Sequence, residues 1–385
     1  MLHRSLNLPL NRSCLLLGPR QTGKSTYMRA ALPPDAWSVD LLHTRDTLRY
    51  LRDPGLFHAE AQAHIERGTG TIFIDEVQKV PGLLDEVHAL MERFGTRFLL
   101  TGSSARKLVR GGANMLAGRA AIRHLHPLTF QEIGPQFDLG RALLYGTLPP
   151  VVTAADEAAT DILRSYGDTY LREEIQAEAV VRNLGGFARF LDIAAAQSGD
   201  ILNYSAVGRD AGLATRTVQE YFQILEDTLL GFRLDAWRNS PRARLLGHPR
   251  FYLFDTGVTN ALARRLTAGE DRAALGRMFE QWVVLETLRW IDYHQDEARM
   301  FYWRTNGGAE VDILIEKHGS LRAAIEVKHR PNVGSADTSG LRSFAEAHPG
   351  VPRAVVCTAP EELKIGETLV LPYARYFERL GEWLA

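Results

Sequence analysis

The chain has 385 residues, of which 45% are hydrophobic and 24% charged, and its formal net charge is −1. This length predicts two or three domains. The near-neutral charge excludes a protein that is basic over its whole surface, although a local basic patch stays open. No run approaches the roughly 18 apolar residues of a membrane span, and residues 1–5 lead straight into a strand, which leaves no room for a signal peptide. Cys14 and Cys357 lie far apart in apolar runs, so we expect buried free thiols in a reducing cytoplasm.

A phosphate-binding loop is the first feature in chain order. Residues 18–25 read Gly-Pro-Arg-Gln-Thr-Gly-Lys-Ser and fit the G-x-x-x-x-G-K-[ST] template, between a short apolar strand and a helical segment. Lys24 is expected to reach the β- and γ-phosphates, and the Ser25 hydroxyl to ligate Mg²⁺. A chance glycine-rich turn is the alternative. The residues expected around bound ATP are Gly18, Pro19, Arg20, Gln21, Thr22, Gly23, Lys24, Ser25 and Thr26.

An apolar strand over residues 71–74 ends in the paired acids Asp75 and Glu76. After a phosphate loop, such a pair is typical of an ATPase: Asp75 would hold Mg²⁺ through water, and Glu76 would polarise the attacking water. The alternative is a pair of exposed acids at a strand end without a catalytic role. The position about 50 residues after the loop favours the catalytic one.

A further strand is expected over residues 97–104, and it ends in small polar residues. We choose Ser103 as the hydroxyl that senses the γ-phosphate, with Thr101 or Ser104 as alternatives. Strand and helix alternate throughout this region, which predicts an α/β fold with a doubly wound parallel sheet and the nucleotide at the carboxyl edge of the strands.

Five motifs carry a resemblance to a known family; they cover residues 15–25, 72–78, 98–104, 116–119 and 126–132. In this order they resemble those of the AAA-type (AAA+) ATP-binding proteins that carry a carboxy-terminal domain of unknown function 4143. The resemblance covers nearly the whole chain. It implies that Arg119, in Leu-Ala-Gly-Arg, acts across a subunit boundary in a homo-oligomer, for which a hexameric ring is one candidate. A surface arginine or an ion-pair partner is the alternative.

The middle of the chain, residues 151–250, begins with a helical stretch that we compare with a lid. Two later helices, over residues 204–211 and 216–225, are separated by Gly212, which predicts a helix-turn-helix. A hairpin from residue 229 and an arginine-rich stretch from Arg233 to Arg250 then predict a winged helix with a basic wing that contacts DNA phosphates. A winged helix that only packs or binds proteins is the alternative. The arginines that we assign to DNA are Arg216, Arg238, Arg242 and Arg244.

The last region, residues 251–385, combines an amphipathic helix over residues 276–286 with several strands. Asp312 lies on one strand and Glu326-x-Lys328 on the next, so Glu326 and Lys328 share a face. Asp312 and Glu326 are predicted to share a divalent metal, and Lys328 to stabilise phosphate charge. Glu280 is predicted to be the fourth residue of this site, with Glu286 as its alternative. This pattern resembles the PD-(D/E)xK restriction-endonuclease-like fold; a remnant that grips DNA, or solvent-facing charges, are the alternatives.

The sequence therefore predicts an AAA+ ATPase domain (1–150), a helical lid with a winged-helix-like region (151–250) and a nuclease-like domain (251–385) in one cytoplasmic chain. We expect ATP-driven action on DNA, with branched or broken DNA in repair, recombination or defence as the substrate. A nucleotide-dependent switch that controls protein assembly without DNA chemistry is the alternative. A small-molecule kinase is disfavoured because it leaves the later domains without a purpose.

Overall fold

The computed structural model describes residues 2–103, 116, 118–167, 183–237, 248–267 and 272–385. The chain forms two compact units. Unit 1 comprises Met1–Leu128 with Gln223–Leu230, and unit 2 comprises Thr129–Phe222 with Gly231–Ala385. The predicted boundaries at residues 150 and 250 do not coincide with this division, so the three-part division stays a prediction.

Unit 1 is built on a parallel sheet of five strands in the order β2-β3-β4-β1-β5. Every residue of β1 and β3 is buried, as expected for strands covered on both faces. The parallel α/β arrangement expected from the sequence is confirmed. The strands are β1 (Ser13–Leu17), β2 (Trp37–Asp40), β3 (Thr71–Asp75), β4 (Arg97–Gly102) and β5 (Ala120–His124), and the helices are α1 (Lys24–Ala30), α2 (Thr44–Arg52), α3 (Pro54–Glu66) and α4 (Leu83–Phe94).

Unit 2 contains a mixed sheet of six strands in the order β12-β13-β11-β10-β9-β8. Strands β8, β9 and β10 form an antiparallel meander, whereas β11 pairs in parallel with both β10 and β13. The strands are β8 (Arg299–Arg304), β9 (Glu310–Lys317), β10 (Ser320–Lys328), β11 (Arg353–Cys357), β12 (Leu363–Ile365) and β13 (Thr368–Pro372).

A small hairpin and a series of helices complete unit 2. The antiparallel hairpin consists of β6 (Gly231–Leu234) and β7 (Arg250–Leu253). The helices are α5 (Phe130–Ile133), α6 (Leu139–Tyr145), α7 (Pro149–Val152), α8 (Asp156–Ser165), α9 (Leu184–Ala196), α10 (Tyr204–Ala211), α11 (Thr215–Asp227, whose last residues belong to unit 1), α12 (Thr256–Leu262), α13 (Arg272–Tyr293), α14 (Ser339–Ala347) and α15 (Tyr373–Leu384).

The helix α13 differs from its prediction. The amphipathic pattern over residues 276–286 led us to expect one buried face, but nearly all residues from Met278 to Thr287 are buried. The physical reason is that Phe279, Trp282 and Val283 of this helix join the core formed with the six-stranded sheet, and a helix enclosed by other elements is apolar on most sides. Polar residues on α13 are therefore placed inside unit 2.

Three helices precede the hairpin in unit 2, in the order α9, α10, α11, β6, β7. Gly212 ends α10 in the left-handed region, with φ 68°, which is the backbone conformation that glycine adopts without steric cost. Between α9 and α10, Ile201 forms a single antiparallel bridge to Arg250 at the start of β7. The predicted helix-turn-helix glycine thus lies at a turn between two helices. Among the described residues, no helix has the length and apolarity that crossing a membrane requires.

Candidate functional site

The phosphate-loop residues lie at the carboxyl end of β1, in tight contact with the backbone beyond β5. A Cβ atom on Gly18 would lie 2.3 Å from the Leu125 carbonyl oxygen, so only glycine fits there. Gln21 and Gly23 both adopt positive φ values, 63° and 91°. Pro19 and Thr22 are buried, Arg20 is half-buried and Thr26 is exposed. The loop therefore has the close, irregular backbone path that a phosphate cradle requires.

Lys24 and Ser25 begin α1 directly after this loop. The Lys24 side chain is buried, and its Nζ donates to the carbonyl oxygens of Gly18 at 2.8 Å and Pro19 at 2.9 Å. Its ammonium group thus lies inside the turn of the loop, where a phosphate group would be held. The Ser25 hydroxyl donates to Asp75 Oδ1 at 2.8 Å, so the two predicted magnesium residues of unit 1 are in contact. A hydroxyl beside a buried carboxylate supplies the oxygen ligands that Mg²⁺ prefers.

Arg29, which we did not predict, contacts the Asp75 carboxylate and pairs with a second unpredicted residue, Asp40. Arg29 on α1 donates from Nη2 to Asp75 Oδ2 at 3.2 Å and to Asp40 Oδ2 at 2.8 Å. Asp40 ends β2 and pairs in register with Asp75. The sequence signal was present, because β2 and β3 both end in an aspartate. It became meaningful only when the two strands were known to be neighbours.

Glu76 follows β3 in the left-handed region, with φ 59°. Its backbone N–H donates to Thr101 Oγ1 at 2.9 Å, and the Thr101 hydroxyl also contacts Asp75. Ser103 Oγ lies 3.4 Å from Glu76 Oε2, so the Thr101 hydroxyl contacts the Asp75 carboxylate and the Ser103 hydroxyl contacts the Glu76 carboxylate. Ser103 is thereby placed beside the predicted base, whereas Ser104 lies outside the described residues.

Arg119 lies at the opposite end of the sheet from the phosphate loop. Ser13 at the start of β1 pairs with Ala120, and Arg12 donates to the carbonyl oxygen of Gly118 at 2.9 Å. Five residues of β1, or roughly 16 Å of strand, separate this end from the loop. The guanidinium forms an ion pair with Glu92. Arg119 therefore lies roughly a strand length from its own phosphate loop.

In unit 2, three of the predicted acidic and basic residues lie on adjacent strands. The Asp312 carboxylate on β9 accepts from the Val327 N–H of β10 at 2.9 Å. Lys328 Nζ donates to Glu326 Oε1 at 2.6 Å, as their shared strand face predicts. Glu326 Oε2 is buried and has no hydrogen-bond partner in the described structure.

Arg250 lies among the same carboxylates. The sequence predicts that it belongs to the basic wing, but its side chain is only 8% exposed and its Nη1 lies 2.6 Å from Glu280 Oε1 and 3.6 Å from Asp312 Oδ1. It also forms an ion pair with Glu310. The expectation that Arg250 belongs to an exposed basic stretch is therefore wrong, because β7 pairs within unit 2 and turns this side chain toward the acids. Sequence alone gave no signal for this contact.

The pKa values reflect the burial of this cluster. Burial, followed by the charge of Asp312, raises the pKa of Glu280 to about 7 and that of Glu326 to about 8. Burial lowers the Lys328 pKa, but the charges of Glu326 and Asp312 outweigh this effect and raise it. Carboxylates that repel one another suit a divalent cation. However, Arg250 already neutralises two of them, and the described residues hold no group of three or more His, Cys, Asp or Glu able to bind a metal ion.

Glu286, the alternative to Glu280, lies elsewhere. Its carboxylate accepts from Arg289 Nη1 at 2.8 Å and from the Phe130 N–H at 3.3 Å. Burial raises its pKa to about 7. The geometry thus brings Glu280, and not Glu286, to Asp312.

Among the arginines assigned to DNA, only Arg216 falls within the described residues. It lies in the first turn of α11 with its side chain 89% exposed, and its Nε is 3.3 Å from Glu220 Oε1. Such an exposed ion pair leaves the guanidinium available to solvent. Arg238, Arg242 and Arg244 lie outside the described residues.

Three family models match the chain in succession. Residues 10–134 match an AAA domain, residues 136–269 a domain of unknown function (DUF8612), and residues 275–376 a domain of unknown function (DUF4143). The uncharacterized proteins Mb2031c of Mycobacterium bovis and Rv2008c of Mycobacterium tuberculosis are each 30% identical over 315 residues, which is 79% of this chain and 68% of the relative. An uncharacterized protein of Haemophilus influenzae is 26% identical over 232 residues, which is 56% of this chain and 57% of the length of that relative.

Proposed function

Because the chain belongs to the family of AAA-domain proteins that carry a carboxy-terminal DUF4143 domain, we propose that it hydrolyses ATP in order to act on DNA. Branched or broken DNA in repair, recombination or defence is the proposed substrate. The nuclease-like domain would bind this DNA, and cutting is the further step that Asp312, Glu326 and Lys328 would carry. The membership itself supports a nucleotide-dependent ATPase, and the order of elements in unit 2 supports the DNA substrate.

The contact between Ser25 and Asp75, with Glu76 beside Ser103, is the observation that carries the ATPase assignment. Lys24 would neutralise the β- and γ-phosphates, and Ser25 and Asp75 would hold Mg²⁺. Bound Mg²⁺ supplies positive charge that offsets the charge developing on the phosphates. Glu76 would take the proton of the attacking water, while the Ser103 hydroxyl would contact the γ-phosphate.

The order of elements in unit 2 supports DNA contact. The elements follow the order of a winged helix: helices α9, α10 and α11 come first, and the β6–β7 hairpin comes after them. Ile201, between α9 and α10, adds a bridge to β7. The exposed Arg216 in the first turn of α11 suits a phosphate contact. Arg238, Arg242 and Arg244, between β6 and β7 in sequence, would extend this positive charge.

We also propose that the chain acts as a homo-oligomer, with a hexameric ring as one candidate. The position of Arg119, roughly a strand length from its own phosphate loop, supports this arrangement, because in a ring it would reach the γ-phosphate bound by a neighbouring subunit.

An ATPase assay with a DNA panel tests the main proposal. We expect wild-type turnover to rise in the presence of forked or four-way DNA more than with single strands or plain duplex, and Lys24→Ala to lose both ATP binding and turnover. Turnover that no DNA changes would refute the DNA half of the proposal. Absent turnover under all conditions would refute the ATPase.

The second candidate is a nucleotide-dependent switch that controls protein assembly without DNA chemistry. The burial of Arg250 among Glu280, Glu310 and Asp312 favours it, because these carboxylates are already paired with a cation. An ATP-dependent change in oligomer size that is insensitive to DNA would support this candidate.

A further inference from the structure

Gln78 connects the predicted base of unit 1 to the predicted γ-phosphate sensor. It lies in the short 3-10 helix Val77–Lys79, directly after Glu76, and is 5% exposed. Its Nε2 donates to Glu76 Oε2 and, at 2.9 Å, to Ser103 Oγ. One amide group therefore contacts both the carboxylate and the hydroxyl.

The chemistry of these partners requires a donor at this place. An ionised carboxylate only accepts hydrogen bonds, and the amide NH₂ has two hydrogens, one for each partner. The orientation of the Gln78 amide follows from the same argument, because its oxygen would repel the Glu76 carboxylate.

Two features of this arrangement are unfavourable for the stability of the fold. Gln78 Oε1 is buried without a hydrogen-bond partner in the described structure, and a buried acceptor without a partner loses its hydration with no compensation. Glu76 itself holds a left-handed backbone conformation, with φ 59°, that is unfavourable for a residue with a side chain. An apolar side chain at position 78 would avoid the first cost. Features of this kind collect at functional sites.

We propose that Gln78 is a positioning residue for ATP hydrolysis, and this rests on the proposed ATPase function. Its amide fixes the Glu76 carboxylate next to the Ser103 hydroxyl, so that base and sensor address the same γ-phosphate. A Glu76 carboxylate without this donor would be free to rotate away from the attacking water. Gln78 does not itself contact ATP in this role.

The test compares Gln78→Met with wild type in steady-state ATPase kinetics. Methionine keeps the length of the side chain and removes the amide, so we expect kcat to fall by about tenfold or more. The KM and the affinity for a non-hydrolysable ATP analogue should stay within about twofold, because phosphate binding by Lys24 is untouched. Gln62→Met is the matched control: Gln62 Nε2 donates to Glu66 Oε1 at 2.7 Å on the exposed surface of α3, and its removal should leave kcat unchanged.

Gln78→Glu provides a second variant of nearly the same shape. It sets one carboxylate against another, so its kcat should fall at least as far as that of Gln78→Met. Unchanged or increased kcat in either variant would overturn the proposal, and so would an equal loss of analogue affinity, which would indicate collapse of the site. If wild type turns over ATP and Glu76→Gln does not, while Gln78→Met remains active, only the role of Gln78 fails. If wild type itself is inactive, the ATPase proposal fails.

Discussion

Replacing Arg250 with methionine removes the cation from the carboxylate cluster of unit 2 and keeps most of the apolar stem. The guanidinium is nearly buried, lies 2.6 Å from Glu280 and 3.6 Å from Asp312, and has its Cζ 5.1 Å from the centre of the Tyr302 ring. Breaking a buried ion pair from one side typically costs about 3–5 kcal/mol, because the remaining charges lose their compensation. For a unit of this size we expect the thermal midpoint to fall by roughly 6–20 °C.

The stability lost by Arg250→Met should depend on pH. Burial already holds the Glu280 pKa above its ordinary value, and Arg250 limits that rise; without the arginine the pKa rises further. A carboxyl whose folded pKa lies above its unfolded pKa contributes most stability at low pH and loses it as pH rises through the folded pKa. The destabilisation of Arg250→Met should therefore be smaller near about pH 5.5 than near about pH 8.

Tryptophan fluorescence during heating measures this effect, because Trp237, Trp282, Trp290, Trp303 and Trp383 belong to unit 2 and only one further tryptophan belongs to unit 1. Arg264→Met is the matched control. Arg264 also lies 3.6 Å from an aspartate, Asp192, but its side chain is 83% exposed, so its loss should cost less than about 1 kcal/mol. Equal midpoints for the two variants, or a difference that pH leaves unchanged, would refute the reasoning.

The remaining proposals give three further expected outcomes. Subunits that carry Arg119→Ala, mixed with subunits that carry Glu76→Gln, should recover part of the ATPase activity, since a mixed interface can combine both wild-type residues; full activity of a dilute monomer would contradict this. Mn²⁺ should raise the thermal midpoint of unit 2 by relieving carboxylate repulsion, and Asp312→Ala should abolish the rise; an equal rise in both proteins would place the ion elsewhere. Changing Arg242 and Arg244 to glutamate should weaken DNA binding and flatten its salt dependence by about one unit of slope per lost phosphate contact, and an unchanged slope would mean that these arginines do not contact DNA.

The sequence by itself determined the candidate nucleotide site of unit 1 to a large extent. The loop template, the acids at the end of β3 and the polar residues after β4 are local patterns, and parallel strands bring their carboxyl ends to one edge of a sheet. The apolar runs expected to form strands before the paired acids and before the small polar residues are β3 and β4. Local chemistry and the geometry of a parallel sheet were sufficient for this part.

Only the tertiary structure decided which distant side chains meet. Gln78 could be seen beside Glu76 in sequence, but its bond to Ser103 depends on the pairing of β3 with β4. The sequence predicted that Arg250 belongs to a basic wing, whereas the β6–β7 hairpin places it among the acids. The choice of Glu280 over Glu286 likewise depends on which side of the buried helix α13 faces the strand that carries Asp312. These contacts join residues tens of positions apart, and no local pattern encodes them, because they arise from how separate elements pack.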